Sequence, residues 1–172
     1  MNTMNQPIVD FYSGKTKDTC GRTLREIHAW DYNELETVHD YIQWLFPLSE
    51  PSQYNPRAPV LDAEQIAKFH TDNELRGQLL ASFDKMLGFY GFIRNNQSIV
   101  RSNSWEERSR NWLRPGNHNH LRLTRILKSL SILGLKEYAH ALFEALDAVF
   151  SEKSGAISNT TMGYWKRALL ES

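Results

Sequence analysis

Two histidines separated by one residue, His118 and His120, are the pair in this sequence best suited to acid/base or metal chemistry. Imidazole titrates near neutrality, and its neutral ring nitrogen binds metals. The surroundings narrow both uses. Residues two apart on a helix point about 200° from each other, so the rings share one ion only on extended backbone. Asn117 and Asn119 are cap-forming amides rather than zinc ligands, and no third histidine or carboxylate lies close in sequence. One reading makes His118 or His120 a single acid or base in an enzyme; the other places both at the capped start of a helix. His39-Asp40 has the composition of an acid/base dyad, but adjacent helix residues diverge and no nucleophile stands beside them. Cys20 lies among Lys17, Asp18 and Arg22, where cations can lower a thiol pKa, although an inert loop thiol fits as well. As the single cysteine it forms no intrachain disulfide and no cysteine-based zinc site. Ser13-Gly14-Lys15-Thr16 has the ending of a phosphate-binding loop, whose first glycine should stand at position 9, where the chain has Val9. The sequence therefore assigns no catalytic residue, no metal site and no cofactor.

Charge carries more information. Lys plus Arg and Asp plus Glu balance at 20 each, which excludes the basic coat of a protein that binds nucleic acid by charge alone. The balance hides an asymmetry. Residues 31–75 carry nine acids against Arg57 and Lys68, whereas residues 94–128 carry eight bases against Glu106 and Glu107. Arg122, Arg125 and Lys128 follow at intervals of three, along one side of a helix whose other side carries Leu123, Ile126, Leu127 and Leu130. Trp105, Arg108, Arg110, Trp112 and Arg114 precede it, so cations, aromatics and a helix N-terminus converge as an anionic ligand requires. The alternative use of these arginines is ion pairing with the acidic segment. Tyr41, Trp44, Leu45 and Phe46, with Phe89-Tyr90-Gly91-Phe92, have the composition of a ligand groove. Packing draws Trp44, Leu45 and Phe89 inward and leaves Tyr41 and Gln43 as polar handles.

Helices must position these groups. Thr23 to Trp30 reads as a short helix, and Asp31 with Glu34 starts one that carries Leu35, Val38, Ile42 and Leu45 up to Pro47. Four of six prolines fall in 47–60, a Pro-rich ordered loop. Asp62 caps a short helix, and Thr71 or Asp72 opens one with Leu75, Leu79, Phe83 and Met86 inward. Periodicity weakens from Ile93 to Gly116, apart from a helix around Trp105 to Leu113. Helices from Asn117 to Leu133, Leu135 to Phe150 and Ser158 to Leu170 complete the chain. No strand alternation persists, so the expected fold is all-α: a single irregular multi-helix domain over 1–172, about six to eight helices, no substantial sheet. Met1 to Asp10 lacks a signal-peptide pattern and no run approaches the roughly 20 apolar residues of a membrane span. A soluble, cytoplasmic protein is expected, in which Asn96-Gln97-Ser98 and Asn159-Thr160-Thr161 carry no glycans.

Three blocks resemble the opioid growth factor receptor conserved-region family. They are His39-Asp40-Tyr41-Ile42-Gln43-Trp44-Leu45-Phe46-Pro47, then Met86-Leu87-Gly88-Phe89-Tyr90-Gly91, then Leu121-Arg122-Leu123-Thr124-Arg125-Ile126-Leu127-Lys128-Ser129-Leu130 with Leu133-Gly134-Leu135. They stand in the family's order, and the resemblance runs from about residue 8 to 170. His39, Asp40, Trp44, Pro47, Tyr90, Gly91 and Lys128 are its motif positions here. The resemblance implies a helical domain that, in animal relatives, forms the N-terminal part of a nucleus-associated receptor for an enkephalin-type peptide linked to growth control. It brings no catalytic residue. With the chain ending at Ser172, a compact, stand-alone member of the kind found in bacteria is expected. The leading functional expectation is a non-enzymatic recognition module. It binds a peptide, a protein or a small anionic ligand through Tyr41, Gln43, Trp112, Arg114, His118, His120, Arg122 and Arg125. The second is a phosphorylated ligand or nucleic acid on the basic segment 94–128, and the third an enzyme using His118 or His120.

Overall fold

The computed structural model describes residues 5–172. Ten helices and one hairpin occupy them: α1 Pro7–Tyr12, α2 Leu24–His28, α3 Tyr32–Thr37, α4 Ile42–Leu45, α5 Ala63–Thr71, α6 Asn73–Tyr90, β1 Phe92–Asn95, β2 Ser98–Arg101, α7 Trp105–Trp112, α8 Asn119–Ile132, α9 Lys136–Glu152 and α10 Asn159–Ala168. The chain is predominantly helical, as expected, although α1 to α4 are short and raise the number of helices above the expected range. Backbone contacts divide it into two compact units, Met1–Ser82 and Phe83–Ser172.

In the first unit, helix starts follow from local side chains. Thr23 and Glu26 form a reciprocal capping box on α2, Asp31 accepts from the Glu34 amide on α3, and Asp62 accepts from Gln65 on α5. Each satisfies amides that the first helical turn leaves without partners. Gln65 does the same at a distance: buried on α5, its Oε1 accepts from the amides of Ile8 (3.0 Å) and Val9 (3.3 Å) at the start of α1. The continuous helix expected from Asp31 to Pro47 is not formed. The chain leaves α3 at Val38, which is extended (φ −90°, ψ 132°), and resumes helix only at Ile42. Tertiary bonds explain the break. Asp40 is held by Arg22 and Cys20, and the Tyr41 hydroxyl donates to the Leu35 carbonyl at 2.7 Å. Residues 47–60 are irregular, as the prolines require.

In the second unit, α9 and α10 both pack on α8. Helix α8 is buried on most sides, from Asn119 and His120 through Leu123, Ile126, Leu127 and Leu130. The hairpin was not expected. Its pairing, with Phe92 opposite Arg101 and Ile93 opposite Val100, puts Phe92 on the buried side and exposes both Ile93 and Val100. A four-residue strand with that mixture presents no readable alternation. Asn96 (φ 55°) makes the turn, a conformation that asparagine tolerates better than most residues.

Gly91 joins α6 to the hairpin at φ +96°, and a Cβ there would lie 3.0 Å from Arg108 Cβ and 3.1 Å from Trp105 Cα. Backbone and side-chain space both demand glycine. Gly91→Ala is expected to cost about 2–4 kcal/mol, from left-handed strain plus overpacking. Gly116→Ala (φ +70°, nothing within 4 Å) carries the strain alone, about 1 kcal/mol. Urea unfolding checks the order, and equal midpoints for the two variants would refute the packing contribution.

Candidate functional site

Trp112 closes α7 and is fully buried. Its indole Nε1–H donates to the Tyr90 carbonyl at 2.9 Å, and its own carbonyl lies 2.9 Å from His120 Nε2. The His120 carbonyl accepts in turn from Trp165 Nε1–H at 3.1 Å. The imidazole stands edge-on to both indoles, with centroids 6.2 Å from Trp112 and 5.8 Å from Trp165. A carbonyl only accepts, so Nε2 carries the ring proton. Burial pushes the His120 pKa below its ordinary 6.5; the bond to Trp112 opposes this, and the charge of His118 adds to it. His120 is thus a buried packing residue rather than a partly exposed helix-start residue. His118 is exposed. Asn117 caps the entry to α8, its Oδ1 accepting from the Asn119 amide at 2.9 Å. Among the described residues no three His, Cys, Asp or Glu side chains gather to hold a metal ion.

The expected cationic stripe on α8 is mostly submerged. Arg122 is 6% exposed, with NH1 3.4 Å from Asn119 Oδ1; Arg125 is half-buried; Lys128 approaches Glu171 at 4.0 Å. A row on a helix buried around most of its girth cannot face solvent. Other bases of 94–128 find acids within their own unit, Arg94 with Asp84 (2.8 Å) and Arg101 with Glu152 (2.7 Å). Trp105 and Trp112, expected to accompany the cations, are buried. Arg110 and Arg114 remain exposed at the end of α7. Arg110 stands in the basic cluster of the sequence, where nothing local distinguishes it from Arg108.

In the first unit Tyr41 and Gln43 face inward, contrary to expectation. Tyr41 is fully buried and edge-on to Trp30 at 5.4 Å; Gln43 Oε1 accepts from Asn55 Nδ2 at 3.3 Å. Trp44, Leu45 and Pro47 are buried too. His39 is exposed, while Asp40 belongs to a cluster. Arg22 donates from Nε to Asp18 (2.7 Å) and from NH1 to Asp40 (2.8 Å), and lies over the Trp30 ring at 5.3 Å. Burial pushes Asp40 upward, but bonds from Arg22 and Cys20 outweigh it and hold the carboxyl below its usual range. The same bond to Asp40 raises the Cys20 thiol, opposite to the lowering that nearby cations suggested. Ser13-Gly14-Lys15-Thr16 forms a turn after α1, where the Lys15 amide donates to the Asp10 carbonyl.

Residues 3–172 match the family described as the opioid growth factor receptor (OGFr) conserved region. The chain belongs to that family. Among its curated relatives, the opioid growth factor receptor of Rattus norvegicus is 37% identical over 140 residues, covering 78% of this chain and 24% of the relative. The Homo sapiens receptor is 40% identical over 111 residues, covering 63% and 16%. Opioid growth factor receptor-like protein 1 of Mus musculus is 40% identical over 120 residues, covering 67% and 25%. This OGFr-type chain spans about a quarter of the length of the rat receptor. No solved structure matches it.

A neutral buried His120 makes stability pH-dependent with a definite sign. Its folded pKa lies below the unfolded 6.5, so its contribution is complete above 6.5 and is lost as pH falls toward the folded value. His120→Gln keeps an N–H donor and removes the titration. On lowering the pH from 7.5 to 5, wild type is expected to lose more stability than the variant in urea unfolding. Parallel losses would refute the assignment.

Proposed function

We propose that this OGFr-type chain is a recognition module that binds a peptide or protein ligand, rather than an enzyme. The observation that carries the reading is the family match over residues 3–172, whose relatives bear the name of a receptor for a growth factor. The packing is consistent with it. The groups best suited to acid/base chemistry are engaged internally, His120 between two indoles and Asp40 by Arg22 and Cys20. We place the module in the cytoplasm, where its one free, exposed thiol stays reduced. No helix among the described residues is long and apolar enough to cross a membrane.

Thermal unfolding at low salt, with an enkephalin-type peptide, orthophosphate or single-stranded RNA against buffer, tests the binding reading. A ligand at a hundredfold its dissociation constant adds about 2.7 kcal/mol, which for a chain of this size raises the midpoint by roughly 5–10 °C. The reading expects that rise with peptide. A rise with orthophosphate or RNA alone would overturn it in favour of the basic segment as a phosphate site.

A further inference from the structure

We infer that the corner between α7 and α8 is a docking surface for an acidic, extended segment of a partner protein, engaged by Arg110 and Arg114. The inference rests on the recognition reading above and names the chemistry of the partner.

No acidic residue occurs between Glu107 and Glu137, a stretch that holds seven bases. Its neighbours in the unit are neutralised: Arg94 by Asp84, Arg101 by Glu152. Arg108 donates to the Phe89 carbonyl at 2.8 Å and lies over the Phe89 ring. Arg110 and Arg114 are exposed and, among the described residues, have no carboxylate partner. Glu106 and Glu107 stand four and three residues before Arg110 on α7, with no ion pair to it among the described residues.

The fold holds them in place. Arg114 Nε donates to the Arg110 carbonyl at 2.9 Å, Asn117 Nδ2 to the Asn111 carbonyl at 3.2 Å, and the Asn117 amide to the Arg114 carbonyl at 3.3 Å. Between them Pro115 fixes its own φ and Gly116 turns the chain at φ +70°. A cation at a helix C-terminus complements the helix dipole, and the Arg114 Nε bond meets that need. Arg110, in the last turn of α7, also complements that dipole, and its exposed guanidinium keeps its donors available to a ligand. Leu121, on the first turn of α8, is 55% exposed.

Carboxylates fit this corner better than nucleic acid does. Two guanidinium forks match carboxylates in a bidentate way, whereas useful affinity for nucleic acid at physiological salt takes many phosphate contacts. Base stacking needs an accessible aromatic platform, and Trp105 and Trp112 are buried.

The test is fluorescence anisotropy of a fluorescein-labelled peptide of alternating glutamate and leucine, titrated with the full chain at low and at physiological salt. Wild type is expected to bind saturably. Arg110→Glu is expected to weaken binding at least tenfold while the chain still unfolds cooperatively, its midpoint lowered by only a few degrees by an acid in the last turn of α7. Arg57→Glu removes an exposed charge elsewhere and is expected to leave binding unchanged. The inference is overturned by no saturable binding, by equal losses in Arg110→Glu and Arg57→Glu, or by tighter binding of single-stranded RNA than of the peptide in the same buffer. An enkephalin-type peptide that still raises the midpoint of Arg110→Glu, beside an acidic peptide that fails on wild type, would remove this surface and leave the receptor-like reading standing.

Discussion

The bond from His120 Nε2–H to the Trp112 carbonyl, 2.9 Å long and within the core, is the contact on which the second unit depends. It is the middle of three hydrogen bonds in series that tie the end of α6, α7, α8 and α10 together. Each uses a donor or acceptor that would otherwise be buried without a partner, a loss of about 1–3 kcal/mol per group. The bond also engages the last carbonyl of α7, which the Arg114 amide shares at 2.9 Å. The helix stops there, and the residues after it turn outward. An interior contact thereby sets the geometry of an exposed corner through one carbonyl.

The first unit is organised by a different device, an arginine between two carboxylates. Asp18 is sealed from solvent and Asp40 is partly exposed, with Arg22 bridging them. A buried carboxylate is tolerated only when a cation and further donors satisfy it, and Asp18 also accepts from the amides of Cys20 and Arg22. Holding Asp40 at this cluster prevents α3 from continuing into α4. The nine-residue block that best marks the family, from His39 to Pro47, is therefore a break followed by one helical turn whose aromatic side chains form the interior.

Legibility in the sequence followed the range of the interaction. Asp31, Asp62 and Ser158 act on amides three residues away, and all three helix starts could be read. So could the proline-rich loop, the long amphipathic helices and the inward placing of Trp44 and Leu45. Features decided by distant partners could not be read. Val38 fits a helical period, yet the bonds of Asp40 and Tyr41 make it extended. Arg122 lies three residues from Arg125 and six from Lys128, which suggests a solvent face, but α9 and α10 cover α8. His120 has no local sign of burial, since Trp112 and Trp165 arrive from other helices. Nothing in the sequence sets Arg110 and Arg114 apart from Arg94 and Arg101, whose carboxylate partners Asp84 and Glu152 lie elsewhere in the chain.

The central claim is that His120 is a neutral, Nε2-protonated link in the core rather than an acid or base. Long-range proton–nitrogen spectra of the imidazole, recorded from pH 7.5 to 5, test it directly. The account predicts a single Nε2–H tautomer whose nitrogen shifts hold steady through pH 6.5 and change only below it, where burial has displaced the titration. An Nδ1–H tautomer, or rapid titration at or above 6.5, would contradict it.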